Sequence, residues 1–429
     1  MALKKKPVNG MKDILPREMA VRDYVTRIIT DTYNSFGFTH IETPVVEEIE
    51  NLTSKQGGEN EKLIFKILKR GEKLDVSGAE SEADIVDYGL RYDLTLPLSR
   101  FYSNNENDLP QPFKALQMGP VFRADRPQRG RYRQFTQCDI DILGEPSNLA
   151  ETELILATAT TLANIGFSGF EIHISDRRLL HTLVFSCGFP DESFDDICVI
   201  LDKMDKIGLE GVAQELREKD FDGACVDRLS DIFTGLSKDS EGLKVLSKKL
   251  GEEAAGPVNN LLTIMKNVDA SKTADFTLVF DPTLVRGMGY YTGTIFEIIM
   301  PEFGAACGGG GRYDGLIGRF TGKDTPACGF SIGFERIVLL LLERDMKIPG
   351  EHTQKAYLIE KGCSDDQLTE ILKKADAGRK AGHRVLVTRM NKNRKFQKEK
   401  LSAEGYEEIT EVFKGSPSEG VSQIINQRY

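Results

Sequence analysis

Hydrophobic positions change period several times along this chain, and the changes divide it. Between Arg17 and Phe36 the apolar side chains fall at Val21, Tyr24, Val25, Ile28, Ile29, Tyr33 and Phe36, the i, i+3, i+4 spacing of a helix with one buried face. Pro16 precedes it and Gly37 follows as a terminating residue. The segment Phe38 to Thr43 then alternates as a strand, which Pro44 stops. Residues 91–143, through LRYDLTLPL, FKALQMGPVFR and RYRQFTQCDIDILG, alternate polar and apolar positions and predict antiparallel strands. A helix is predicted near 149–165, after the turn Gly144-Glu145-Pro146, and a further strand at 169–174.

From 177 to 270 the period is helical and the surface positions are charged, which reads as a helical insertion. Strand signals return at 275–300, followed by the glycine-rich GGGGRYDG and an apolar helix at 333–344. Past a polar link containing Pro349 and Gly350, strand and helix alternate through AYLIEK, 366–380, RVLVTRM, 396–404 and EEITEVF, with no recognisable final strand–helix pair. The expected fold class is α+β. The expected organisation is a first core segment at 1–176, a helical insertion at 177–272, a second core segment at 273–345 and a small α/β domain at 354–429.

Composition removes several classes. With 40% hydrophobic and 28% charged residues the 429-residue chain reads as soluble and globular. Its longest aliphatic run, Ile337 to Leu342, is far shorter than the ~20 residues that span a bilayer. The basic N-terminus has no apolar stretch behind it, unlike a secretory leader. Seven scattered cysteines without a C-x-x-C favour a reducing, cytoplasmic setting over a disulfide framework. The net charge of −10 disfavours polyanion binding by bulk charge and leaves only a local basic patch for that purpose.

The densest polar cluster runs from Arg123 to Phe135 and holds five arginines in eleven positions, Arg123, Arg126, Arg129, Arg131 and Arg133. Guanidinium groups bind phosphate through paired hydrogen bonds, so this hairpin is a candidate nucleotide or RNA site, against the plainer reading of a solvated tip. Arg123 is set apart, since it follows the apolar stretch Met118 to Phe122 and is expected to face the interior or a cleft. A second cluster, Arg286-Gly-Met-Gly-Tyr290-Tyr291, combines a cation, backbone freedom and two aromatic hydroxyls. It lacks the third glycine of a dinucleotide fingerprint, and no Walker loop is present. The five histidines form no metal-ligand spacing, so no site in which protein alone holds a metal is expected.

In order along the chain, these clusters resemble the class II aminoacyl-tRNA synthetases, and within them the histidyl-tRNA synthetases. Gly10-Met11-Lys12-Asp13-Ile14-Leu15-Pro16 is similar to that family's N-terminal signature, and the helix and strand ending at Pro44 to class II motif 1. Phe122 to Phe135 resembles motif 2, and Gly329-Phe-Ser-Ile-Gly333-Phe-Glu335-Arg336 resembles motif 3. Arg286 to Tyr291 and Gly309-Gly-Gly-Arg-Tyr-Asp-Gly315 resemble the stretches that mark the histidine branch. One departure stands out: Gly289 occupies the place where the family usually carries an aspartate.

The resemblance implies an antiparallel sheet flanked by helices, working as a homodimer, that joins L-histidine to histidine tRNA with ATP as substrate and Mg²⁺ on the leaving phosphates. It gives Arg123 and Arg286 to the α-phosphate, with Arg123 also on the amino acid's carboxylate. Asp125 and Phe135 would serve the adenine, and Arg336 the γ-phosphate and the other adenine face. Asp93, Thr95 and Gln137 would hold the α-amino group, while Asp141 and Tyr291, with Tyr290 alongside, would meet the imidazole. Gln128 and Arg129 would meet the tRNA acceptor end, and residues around Glu59 would cover the site. In the C-terminal domain Arg389, Lys392, Arg394, Lys395 and Lys398 are candidates for an RNA backbone. Two rivals remain open: a non-catalytic paralogue such as the regulatory subunit of ATP phosphoribosyltransferase, and a generic nucleotide-binding adaptor.

Overall fold

The computed structural model describes residues 3–53, 61–285, 291–349 and 353–415, and the backbone of 421–424. They form two compact units. One holds the residues up to Asp13 and Arg22–Arg344, the other Ile14–Val21 and the residues from Asp345 onward.

The first unit is built on an eight-stranded sheet. In spatial order its strands are Thr39–Ile41, Phe113–Phe122, Gln134–Leu143, Ala327–Ile332, Ala305–Arg312, Thr294–Met300, Phe170–Asp176 and Phe276–Phe280. The two outermost pairings are parallel and every pairing between them is antiparallel. Aromatic residues pointing off the sheet fill the core, with Phe113, Phe170, Phe280, Phe296 and Phe330 almost fully buried. The helix Leu149–Ile165 is apolar on most of its faces and is correspondingly buried. Between Arg177 and Ser271 the chain is helical, from Arg177–Ser186 to Glu252–Ser271.

LRYDLTLPL reads as one strand in the sequence, but only Leu90 belongs to a strand, and its last four residues open a helix, Thr95–Asn105. Its start is set by Asp93, whose Oδ1 accepts the Leu96 amide at 3.1 Å, and by Pro97, which a first turn accommodates because its missing N–H has no partner there anyway. The small antiparallel sheet Val46–Glu48, Lys66–Leu68 and Val86–Leu90 precedes it.

In the second unit the strands Arg384–Arg389, Gln354–Ile359 and Tyr406–Val412 are mutually parallel, with the helices Asp365–Lys380 and Arg394–Ala403 as crossovers. The sequence pattern predicts no final strand here. The structure has one, Val421–Ile424, antiparallel to Tyr406–Val412. At four residues it is too short for alternation to stand out from its polar neighbours. Among the described residues no helix is long and apolar enough to cross a membrane.

Candidate active site

Successive side chains of a strand point to opposite faces, and Gln134–Leu143 uses both. Cys138, Ile140 and Ile142 are buried in the core on one face. On the other, Phe135, Gln137, Asp139 and Asp141 line a cavity of about 1190 Å³. The neighbouring strand sets Ser331 opposite Asp139 and Gly329 opposite Asp141. Gly329 is required by space: a Cβ there would lie 1.9 Å from Asp141 Oδ1. That oxygen accepts the Tyr313 hydroxyl at 2.6 Å.

This end of the cavity is acidic and starved of donors. Asp93 and Thr95 line it from the start of the Thr95–Asn105 helix. Gln137 Nε2 donates to Asp139 Oδ2 at 2.7 Å. Gln137 Oε1, Asp139 Oδ1 and Asp141 Oδ2 are buried without a hydrogen-bond partner. Burial, reinforced by the neighbouring Asp93 carboxylate, pushes Asp141 up to about 7 despite the Tyr313 hydrogen bond. Burial and then the Asp141 charge raise Asp139 well above the usual carboxylate range, against the Ser331 and Gln137 hydrogen bonds. Burial raises Asp93 as well. Three carboxyl groups held this way form a receptor for a cation, since an arriving positive charge favours their ionised forms.

The other end is cationic and aromatic. Arg123 extends from the end of the Phe113–Phe122 strand with its guanidinium 4.2 Å from the Tyr92 ring centroid and 5.3 Å from that of Phe135. Its Nε donates to the Tyr92 carbonyl at 3.0 Å, which leaves the fork to face the cavity that Arg123 lines. Asp125 takes Arg131 Nε at 2.9 Å. Arg336, in the first turn of the helix Phe334–Glu343, lines the same cavity and donates to the Ala306 carbonyl. Next to it Glu335 is buried and binds both terminal nitrogens of Arg22, at 2.7 and 2.9 Å, and the Thr136 amide at 3.0 Å. That carboxylate ties the start of this helix to the strand carrying Phe135 and Gln137.

Of the residues singled out in the sequence, Asp93, Thr95, Arg123, Asp125, Phe135, Gln137, Asp141, Tyr291 and Arg336 line this one cavity. Gln128 and Arg129 are not among its lining residues. They lie at the hairpin tip, where Gln128 pairs with Arg131 and Arg129 forms a two-pronged pair with Glu343 at 2.6 and 2.8 Å. Glu59, Arg286, Gly289 and Tyr290 lie outside the described residues.

The Histidyl-tRNA synthetase family model matches residues 10–337. A histidine–tRNA ligase of Leifsonia xyli is 42% identical over 424 residues, 96% of each chain. The chain belongs to the histidyl-tRNA synthetase family. A histidyl-tRNA synthetase structure from Nostoc matches at 26% identity with a TM-score of 0.77, covering 96% of this chain and 92% of that one. A Bacillus halodurans structure described as an ATP phosphoribosyltransferase regulatory subunit/histidyl-tRNA synthetase has the same TM-score at 19% identity, covering 97% and 100%, and speaks for the shared fold alone.

Seen as a histidyl-tRNA synthetase family site, the cavity contains three residues to which the sequence alone assigns no task. Tyr313 lies in a stretch that resembles the family, but its hydroxyl partner becomes visible only once two strands are paired. Glu335 belongs to the motif 3 resemblance, and its tie to Arg22 and Thr136 spans more than a hundred residues of sequence. Asp139 is readable: Gln137 and Asp141 on one face of a strand imply that the residue midway between them shares it.

Proposed function

We propose that this cavity activates L-histidine with ATP and then passes the histidyl group to the 3′ end of histidine tRNA. The observation that carries the reading is one cavity with an acidic, donor-poor end and an arginine–aromatic end, joined by the single strand face Phe135, Gln137, Asp139, Asp141. The acidic end suits an ammonium and an imidazole N–H. The arginines suit phosphates, and Phe135 offers a flat surface for adenine.

In the first step a histidine carboxylate oxygen attacks the α-phosphorus, and the bond to the bridging oxygen breaks to release pyrophosphate. No side chain forms a covalent intermediate. Arg123, joined by Arg286, stabilises charge on the α-phosphoryl oxygens, and the site's remaining task is alignment. Arg336 holds the γ-phosphate. Asp93, Thr95 and Gln137 hold the α-ammonium, while Asp141 and the Tyr291 hydroxyl meet the two imidazole nitrogens, one as acceptor and one as donor. A pocket made of such bonds rejects analogues that leave its own groups unpaired. In the second step the adenylate's carbonyl carbon is taken by a terminal ribose hydroxyl, with Gln128 and Arg129 at the acceptor end and AMP leaving.

Mg²⁺ would enter with the nucleotide on its phosphates and would there neutralise the charge of the leaving group. The working form is a homodimer, and the C-terminal α/β unit meets the anticodon arm. Both belong to this reading through the family.

Retention of Arg123, Arg286 and Arg336, and of the C-terminal unit, favours the enzyme over the regulatory paralogue. The deciding assay is histidine-dependent exchange of pyrophosphate into ATP. Exchange is expected in the intact protein and is expected to vanish in Arg286→Ala. Absence of exchange in the intact protein would hand the chain to the regulator.

A further inference from the structure

We propose that Asp139 is a further residue of the amino-acid site, turning the Gln137 carbonyl toward the ligand and supplying its own free oxygen as the anionic acceptor for the α-ammonium. The inference rests on the functional reading above and adds a residue to it.

A glutamine amide offers a donor at one end and an acceptor at the other, and the neighbour decides which faces where. Here the neighbour is a carboxylate. Gln137 Nε2 is committed to Asp139 Oδ2 at 2.7 Å. Once a bound ammonium holds Asp139 ionised, the reversed amide would press two acceptor oxygens together, so Oε1 is the group left over, buried and unpartnered. Asp139 Oδ1 is left over in the same way, and Asp139 is only 3% exposed. Polar atoms buried without a partner are costly, and here two such acceptors belong to adjacent side chains on one cavity wall.

Two polar residues face Asp139 across the strands and neither relieves these acceptors: Ser331 hydrogen-bonds the Asp139 carboxylate but leaves Oδ1 without a partner, and Gln117 is engaged elsewhere. Its Nε2 donates to the Leu94 carbonyl and its Oε1 accepts from Thr43, each at 3.1 Å. Asp141 is occupied differently, with one oxygen on Tyr313 and the other available to the imidazole in the functional reading. What remains unserved is a pair of acceptors with a negative charge behind them. A primary ammonium has three N–H donors and no acceptor, and is the complement of such a pair. A hydroxyl in its place brings one donor and no charge.

The test uses the full-length protein with two ligands, L-histidine and imidazolelactate, in which a hydroxyl replaces the ammonium. Calorimetric Kd values are measured for the natural protein and Asp139→Asn. L-histidine is expected to bind about 10- to 100-fold more weakly to the variant, the range for losing one charge-assisted hydrogen bond. Imidazolelactate should change by less than about threefold by the same argument, since its hydroxyl brings no positive charge and can still donate to the asparagine carbonyl. Equal weakening of both ligands, or of neither, overturns the inference. The double variant Gln137→Glu with Asp139→Asn keeps one negative charge and a donor facing an acceptor. It should restore the preference for L-histidine, and a preference still lost there also overturns the inference, including in the case where Asp139→Asn alone does not fold. A protein with normal histidine-dependent exchange but no change in ligand preference sinks this inference alone. A protein with no exchange sinks the functional reading beneath it.

Discussion

At the scale of single residues, the site depends on atoms that are absent as much as on those present. Gly329 contributes no side chain, and the space this leaves is filled by the Asp141 carboxylate. Gly329→Ala needs no strained backbone, because the residue sits in a strand with an ordinary φ. Its methyl would meet the buried Asp141 carboxylate and the edge of the Tyr313 ring rather than main chain, so the displaced group is the one assigned to the imidazole. The expected outcome is a lowered thermal midpoint, because the buried Tyr313–Asp141 hydrogen bond is disturbed, together with kcat/KM for histidine down at least ~100-fold, the order of loss that about 1 Å of misplacement causes. Steady-state exchange kinetics beside a melting curve would check it. A lowered midpoint with intact kinetics would mean that Asp141 had moved without consequence.

At the scale of elements, legibility follows how local each signal is. The helix Pro16–Ser35 and the strands Phe113–Phe122 and Gln134–Leu143 can be read from periodicity because period and burial agree within one segment. The helix Thr95–Asn105 cannot, since Leu90 to Leu98 alternates like a strand and the deciding hydrogen bond, Asp93 to the Leu96 amide, exists only once the turn has formed. The gathering of Asp93, Asp141 and Tyr291 into one cavity is accessible through family resemblance, whereas the partner of each side chain is not. Strand register selects those partners, and nothing in a single sequence specifies which strands become neighbours.

A second element-scale feature is where the strand Phe170–Asp176 and the end of Phe276–Phe280 meet the helical segment. His173 lies between Glu171, 2.8 Å from Nε2, and Asp281, 2.9 Å from Nδ1, while Lys238 donates to Asp281 at 2.9 Å and has Asp205 3.8 Å away. Burial works against the imidazolium, but the Asp281 and Glu171 hydrogen bonds and charges outweigh it and raise His173. Burial would raise Asp281, but His173, Thr283 and Lys238 overcome it and hold Asp281 below the usual carboxylate range. The raised imidazole stabilises the fold fully below the unfolded histidine value of about 6.5, and that stability is lost as pH climbs through the folded value. The depressed carboxylate contributes above about 3.9, and its share is lost only as pH falls through its folded value. Thermal midpoints of the natural protein and His173→Asn are therefore expected to differ most below about pH 6.5 and to converge as pH climbs above that through the raised folded value. A gap that stays constant across that window would mean that His173 carries no charge in the fold.

At the scale of the whole molecule, a chain of net charge −10 has to meet an RNA, which requires its positive charge to be concentrated. One concentration is in the C-terminal unit, where Lys392, Asn393, Arg394, Lys395, Lys398 and Glu411 line an open hollow of about 630 Å³. Glu411 takes Lys398 at 3.1 Å and has Arg394 at 3.8 Å, so part of that charge is already neutralised within the unit. Asn393 Oδ1 caps the Arg394–Ala403 helix by accepting the Phe396 amide at 3.0 Å, fixing where the basic turn begins. Lys392 and Lys395 stand outside these pairs and are the residues to change. If the hollow tracks a phosphate backbone, replacing both with glutamine raises KM for tRNA in aminoacylation. It also flattens the salt dependence, by a log–log slope of about 0.7–0.9 for each phosphate no longer neutralised. Pyrophosphate exchange needs no tRNA and should keep its rate in the same variant. A tRNA KM and salt slope that both stay fixed would separate this basic hollow from RNA binding, leaving its lysines as an ordinary solvated face.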